Sequence, residues 1–298
     1  MRWWTYQKER FPVVAHGLLI AVFSACAVSY SALLRDGVPR APSFGVAFGV
    51  CFLFFLQLRI ADEFKDAEED ARWRPYRPVP RGLITLRELG WGFAAAAVVQ
   101  CGLAVAWEPG LLWVLGGGWA YLGGMSVEFF ARKWLKARPV VYLLTHMGIM
   151  PLVDFFATAC DWIPAGEKPG GLGPFLAASF CNGLVIELGR KLRQPAAEEE
   201  GVETYSRLWG MRWGVRAWWV SQGMTAIFAG WAAAKIGFAG PTWLALGSVG
   251  VLSYGVGWRF QNRSLNGSWI ERVSALWTLV LYLVMGVVPW WLKVGVGR

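Results

Sequence analysis

The sequence predicts an all-α, polytopic membrane protein: nine transmembrane helices around a central cavity, capped by cytoplasmic loops, in a single domain over residues 1–298. Three observations carry this. The 298 residues are 56% hydrophobic and 15% aromatic, with 20 tryptophans. Only 16% are charged, well below the roughly 25% of a soluble domain. Apolar runs recur along the whole chain at about the 17 to 25 residues that cross a bilayer. Lysine and arginine alternate between the connections, as they do when basic loops stay on the cytoplasmic side.

The runs are Val13–Leu34, Ser43–Leu58, Leu89–Trp107, Leu111–Val127, Pro139–Thr158, Gly170–Ile186, Ala217–Ala234, Ile236–Trp258 and Val273–Leu292. With the N-terminus inside, 23 of the 29 basic residues fall in cytoplasmic segments. The net charge of +9 is then a property of one membrane face and calls for no nucleic-acid partner. MRWWTYQKERF, ahead of the first run, mixes aromatics and cations as an interfacial anchor does. Thr85 and Glu88 have the spacing of a capping box and start the third helix. GGGWAYLGG in the fourth allows close helix packing. The five cysteines show no CxxC spacing and mostly lie in apolar runs, which speaks against disulfides or zinc.

Charge is densest between Arg59 and Gly82. Six carboxylates (Asp62, Glu63, Asp66, Glu68, Glu69, Asp70) and two cations are followed by four arginines without an acid. At about 100° per residue, Glu63, Asp66 and Asp70 share a helical stripe with Asp62 at its border. Converging carboxylates suit Mg²⁺, which retains waters and bridges to phosphates. Arginines just downstream suit the phosphates themselves. The plainer reading is a solvated, self-neutralising loop; the position at the end of a membrane helix argues against it.

Further along, Arg132, Lys133, Lys136 and Arg138 form a second cationic cluster after Glu128, which a positive-inside loop would also produce. Tyr142, Thr145, His146 and Asp154 are polar groups in the fifth helix, where such groups face a cavity or a partner. His146 is placed on the pocket floor and Asp154 nearer the outer surface. After the sixth helix, Glu187 and Lys191 share a face, with Asn182 deeper. Glu198 to Glu200 read as a solvated loop.

With both loops in view the chain resembles the UbiA superfamily of membrane-embedded prenyltransferases. Its first motif, NDxxDxxxD with an RPxxxG-like tail, is matched in spacing and place by Asp62-Glu63-x-x-Asp66-x-x-x-Asp70 and Arg77-Pro78-Val79-Pro80-Arg81-Gly82. The second motif, DxxxD, is represented by Glu187-x-x-x-Lys191, followed by an acidic insertion before Gly201 and Tyr205. One of its carboxylates is therefore a cation here.

The resemblance implies Mg²⁺ held by Asp62, Glu63, Asp66, Asp70 and Glu187. It implies an isoprenyl diphosphate bound by Arg74, Arg77, Arg132, Lys133, His146, Asn182, Arg190 and Tyr205, with Asp66, Asp70, Glu187 and Lys191 as catalytic groups. The prenyl unit passes to a lipophilic acceptor within the bilayer, at an active site facing the cytoplasm of an integral inner (cell) membrane protein. A terpene cyclase on the same scaffold is the alternative. A transporter fits less well, since these carboxylates sit at a membrane exit rather than at midplane.

Overall fold

The computed structural model describes residues 1–296, and every regular element among them is helical. A nine-residue helix α1 (Arg2–Arg10) precedes α2 (Val13–Leu34) and α3 (Ala41–Lys65). The short α4 (Ala67–Trp73) leads to α5 (Leu86–Trp107) and α6 (Leu111–Ser126). Next come α7 (Arg132–Lys136), α8 (Pro139–Met147), α9 (Ile149–Ala165) and α10 (Gly173–Arg190). The chain ends with α11 (Tyr205–Trp209), α12 (Met211–Lys235), α13 (Ala239–Gln261), α14 (Gly267–Tyr282) and α15 (Val288–Val296). A π turn, Leu283–Val287, joins the last two.

Each apolar run falls on a helix or a broken helix pair. Five spans, Val13–Leu34, Ala41–Lys65, Leu86–Trp107, Pro139–Ala165 and Gly267–Val294, are long and apolar enough to cross a membrane. The other runs form α6, which is only 16 residues long, and α10, α12 and α13, which carry more polar residues. All are packed into the same bundle. Long helices neighbour one another largely in chain order: α2 on α3, α3 on α5, α6 on α9, α9 on α10, α10 on α12, α12 on α13 and α13 on α14. The π turn and α14 return to α2 and close the ring.

Local chemistry sets the boundaries. The Thr85 hydroxyl accepts from the Glu88 amide while the Glu88 carboxylate accepts from the Thr85 amide, so the expected capping box starts α5. The fifth apolar run breaks at Gly148 because the Tyr121 hydroxyl, donating to the freed Thr145 carbonyl at 2.6 Å, occupies the space a Cβ at 148 would need. That break separates α8, which carries Tyr142 and His146, from α9, which carries Asp154 and Asp161.

Several polar groups inside the bundle are paired across helices. Asp161 is buried against the outer end of α2, accepting from Ser31 Oγ at 2.7 Å and from Arg35 Nε and Nη2 at 3.2 and 2.9 Å. Asp154 is fully buried where α9 packs on α2 and α10, and its carboxylate accepts from the Tyr282 hydroxyl at 3.1 Å. Between α3, α6 and α9, Phe54, Leu115 and Phe156 leave only about 10 Å³. A cavity of about 320 Å³ opens to the side, lined by Ala61, Phe64, Lys65, Phe93 and Ser126.

The Asp161 site makes a stability prediction. Removing Arg35 strands a buried carboxylate, a loss of about 3–5 kcal/mol. Glu167 also reaches Arg35, at 3.7 Å, but is largely exposed, so Glu167→Ala costs under about 1 kcal/mol. Thermal melts in detergent should rank Arg35→Ala far below wild type and Glu167→Ala beside it; the reverse order would overturn this account.

Candidate active site

The first motif lies where α3 ends. Instead of one continuous stripe, the helix stops at Lys65 and restarts at Ala67, with Asp66 at the junction (φ −94°, ψ 4°). The break distributes the carboxylates among separate partners. Glu63 is buried and takes Arg10 Nε of α1 at 2.5 Å and Arg59 Nε at 3.6 Å. Asp70, also buried, is gripped by Arg74 Nη2 at 2.5 Å and Arg77 Nη1 at 2.7 Å. The arginines read as phosphate ligands thus first compensate a carboxylate of their own motif. A carboxylate this buried is costly unless paired.

Asp62 and Asp66 are treated differently. Asp62 has one ion-pair partner, Arg59 at 3.4 Å, and among the described residues Asp66 has none. The Asp66 carboxyl is raised above the ordinary carboxylate range, first by burial and then by the neighbouring Asp62 charge. Uncompensated negative charge therefore gathers at these two residues.

The second loop comes from α10. Glu187 accepts from Arg190 Nε at 2.5 Å and from Lys191 Nζ at 3.0 Å. The chain folds back so that the Tyr205 amide donates to the Lys191 carbonyl at 3.1 Å, with the Lys191 ammonium 5.7 Å from the Tyr205 ring centroid. Burial, followed by the Glu187 charge, pushes the Tyr205 phenol up. The third wall is α8. His146 stacks on Tyr142 with centroids 3.9 Å apart, donates from Nδ1 to the Tyr142 carbonyl at 2.9 Å, and lies 3.3 Å through Nε2 from Lys65 Nζ. Lys65 also bonds the Tyr142 hydroxyl.

These walls meet at one place. Lys65, at the end of α3, bonds Tyr142 and His146 of α8, and α8 packs against α10, which carries Glu187 and Arg190. Of the residues the sequence nominates, Asp62, Asp66, His146, Glu187, Arg190, Lys191 and Tyr205 are brought together, with Asp70, Arg74 and Arg77 adjoining. Glu63 is turned toward α1. Arg132 and Lys133 stay exposed on α7, outside the pocket; it is Lys136 that reaches the acidic stretch, pairing with Glu69 at 2.7 Å. Asn182 is buried and accepts from Thr278 of α14 at 3.1 Å, away from the charged groups.

Other participants escape the sequence reading. Arg10 lies 53 positions from Glu63, with no local signal. The acidic insertion is a clasp, not a solvated loop. Glu199 accepts from Tyr76 at 2.7 Å and from Arg193 at 2.8 Å, and the Tyr76 hydrogen bond holds the Glu199 carboxyl below its usual range. Glu198 accepts from the Thr204 hydroxyl at 2.7 Å. Gly201, at φ +70°, lets the Trp73 ring pass where a Cβ would sit 2.3 Å from it.

Among the described residues no three His, Cys, Asp or Glu side chains converge to hold a metal ion. The donor chemistry nevertheless suits one hard cation at Asp62 and Asp66, because Mg²⁺ commonly takes one or two carboxylates and completes its shell with water and substrate phosphate. Glu63, Asp70 and Glu187 do not suit it as they stand, since arginine or lysine already occupies each.

The UbiA prenyltransferase family matches residues 19–279. Among solved structures, a UbiA homologue from Aeropyrum pernix K1 superposes with a TM-score of 0.67 at 13% identity, covering 88% of this chain and 94% of that one. A digeranylgeranylglyceryl phosphate synthase superposes with a TM-score of 0.62 at 14% identity, covering 96% and 99%. No curated protein matches the sequence. Identities this low speak for the fold alone, while the family match takes in most of the chain. The chain is an integral membrane protein that belongs to the UbiA prenyltransferase family.

Proposed function

We propose that this protein transfers a prenyl group from an allylic isoprenoid diphosphate to a lipophilic acceptor within the membrane, with Mg²⁺ at Asp62 and Asp66. The observation that carries the reading is the division of charge between the two loops: Asp62 has a single ion-pair partner at 3.4 Å and Asp66 none among the described residues, while Arg190 and Lys191 converge on Glu187. A metal–diphosphate pair needs both, a carboxylate pole and a cationic one. Mg²⁺ bound there would supply charge neutralisation to the departing diphosphate.

The chain's own groups do the rest. Arg190 and Lys191 bind diphosphate oxygens directly, taking the part that a second carboxylate-bound cation would otherwise have. Arg74 and Arg77, anchored on Asp70, present their remaining N–H donors. Tyr205 and Tyr142 border the allylic carbon with aromatic faces, which favour positive charge. Tyr205 is buried and Tyr142 half-buried, so water's access to the cation is limited and the acceptor competes for it. The positive-inside asymmetry supports an active site facing the cytoplasm of the cell membrane.

Purified protein with Mg²⁺ and C10 to C20 allylic diphosphates, with and without lipid extract, tests the activity. The expected result is diphosphate release dependent on extract, with an extract component gaining one prenyl unit. A cyclic hydrocarbon released without extract would replace this reading by the cyclase. Lys191→Ala should raise KM for the diphosphate by roughly 10- to 100-fold, the worth of about 1.5–3 kcal/mol in one charged hydrogen bond. An unchanged KM would remove Lys191 from the clamp.

Asp66 gives a prediction with a defined sign. Because its folded pKa is raised, the folded protein holds the proton where the unfolded chain has released it, so stability falls as pH climbs from the ordinary carboxylate range through the raised value. At neutral pH the ionised group burdens the metal-free fold. Asp66→Asn should therefore melt higher than wild type at pH 7 without metal, lose the stabilisation by Mg²⁺ seen in wild type, and lower turnover by at least about 100-fold, the scale of one electrostatic contact to developing charge. A variant that melts lower and still responds to Mg²⁺ would contradict both the burden and the ligand role.

A further inference from the structure

Directly after α6 the chain makes a turn that ordinary side chains avoid. Glu128, Phe129 and Phe130 have φ of +53°, +49° and +58°, three consecutive non-glycine residues in the left-handed region. Strain of this kind persists only where the surroundings fix it, and it gathers at functional sites. Here Phe129 is wedged between Tyr121 and His146, with ring centroids 5.3 and 6.2 Å away. The turn thereby drives Glu128 inward.

Glu128 is only 2% exposed, and neither carboxylate oxygen has a hydrogen-bond partner. Its nearest cation is Lys65 Nζ, at 3.5 Å. Lys65 cannot swing closer without leaving Tyr142 and His146, both of which it contacts. The same Lys65 lines the 320 Å³ side cavity with Ala61, Phe64, Phe93 and Ser126. That cavity is apolar along Phe64 and Phe93 and polar at Lys65 and Ser126, the lining that suits a lipophilic molecule with a hydroxyl head. A carboxylate with neither oxygen hydrogen-bonded keeps both free to accept from an incoming hydroxyl. Glu63, Asp70 and Glu187 are held by arginine or lysine, and Asp62 and Asp66 are engaged at the diphosphate end.

We propose that Glu128 is the general base of the transfer, taking the hydroxyl proton of an acceptor that approaches through the side cavity, with Lys65 as its positioning residue. The inference rests on the transferase reading. In the step, the allylic C1–O bond breaks and its electron pair leaves with diphosphate. The acceptor oxygen forms the new bond to C1, and its O–H proton passes to a Glu128 oxygen. Glu128 then returns the proton to solvent.

The test follows two products from geranylgeranyl diphosphate, Mg²⁺ and lipid extract: free diphosphate and prenylated adduct. For Glu128→Gln, adduct formation should drop by about 100-fold or more while diphosphate release stays within about threefold, the difference appearing as geranylgeraniol from capture by water. Glu128→Asp, which keeps the base, should recover adduct in part, and both variants should melt in detergent as wild type does. Adduct from Glu128→Gln within about threefold of wild type would overturn the assignment. So would adduct and diphosphate release falling together without the alcohol, which would make Glu128 a structural or ionisation group. Wild type yielding hydrocarbon and no adduct would defeat the transferase reading and this assignment together, whereas an unaffected Glu128→Gln defeats only the latter.

Discussion

Burial of charge at the end of a membrane bundle governs this structure. A carboxylate withdrawn from water is tolerated only when a cation or several donors come with it, and the chain meets that demand at Glu63, Asp70, Asp161 and Glu187 with arginine or lysine within 3.0 Å. Those pairings tie α1 to α3, fold the arginine-rich turn back on α4, and fasten the outer ends of α2 and α9. They also decide, by subtraction, which carboxylates remain for chemistry. Asp62 and Asp66 stand out because the arrangement leaves them short of partners, not because they are more acidic in sequence than their neighbours.

Much of the fold was legible in the residues. Apolar runs located the long helices because hydropathy and length are local properties, and the Thr85–Glu88 box formed as its spacing predicts. Breaks were harder to see. The interruption at Gly148 needs Tyr121 from another helix, and the one at Asp66 needs several arginines to draw acids in different directions. Neither cause lies within the segment that breaks. For the same reason the acidic stripe, correct as a spacing, failed as a geometry: a wheel assumes one continuous helix.

The site was legible in its two loops and, through the polar Tyr142 and His146 in an apolar run, partly in its third wall. Asp62, Asp66, Glu187 and Lys191 could be nominated because charge is rare in this chain and clusters there. Lys65 and Tyr142 carry no motif, and Arg10 reaches Glu63 from outside any plausible window. Glu128 offered a faint signal, being an acid at the head of a basic cluster, but its inward turn depends on a backbone conformation that glutamate seldom adopts. The insertion at Glu198 to Glu200 looked like solvent-exposed surface because its long-range partner, Tyr76, lies in the other loop.

That insertion has a mechanical consequence. Trp73 seated on Gly201 and Tyr76 hydrogen-bonded to Glu199 join the segment after α3 to the segment after α10, so the two loops bearing the opposite poles of the pocket behave as halves of one latch. Each contact therefore fixes the spacing between the two poles, which neither loop sets alone.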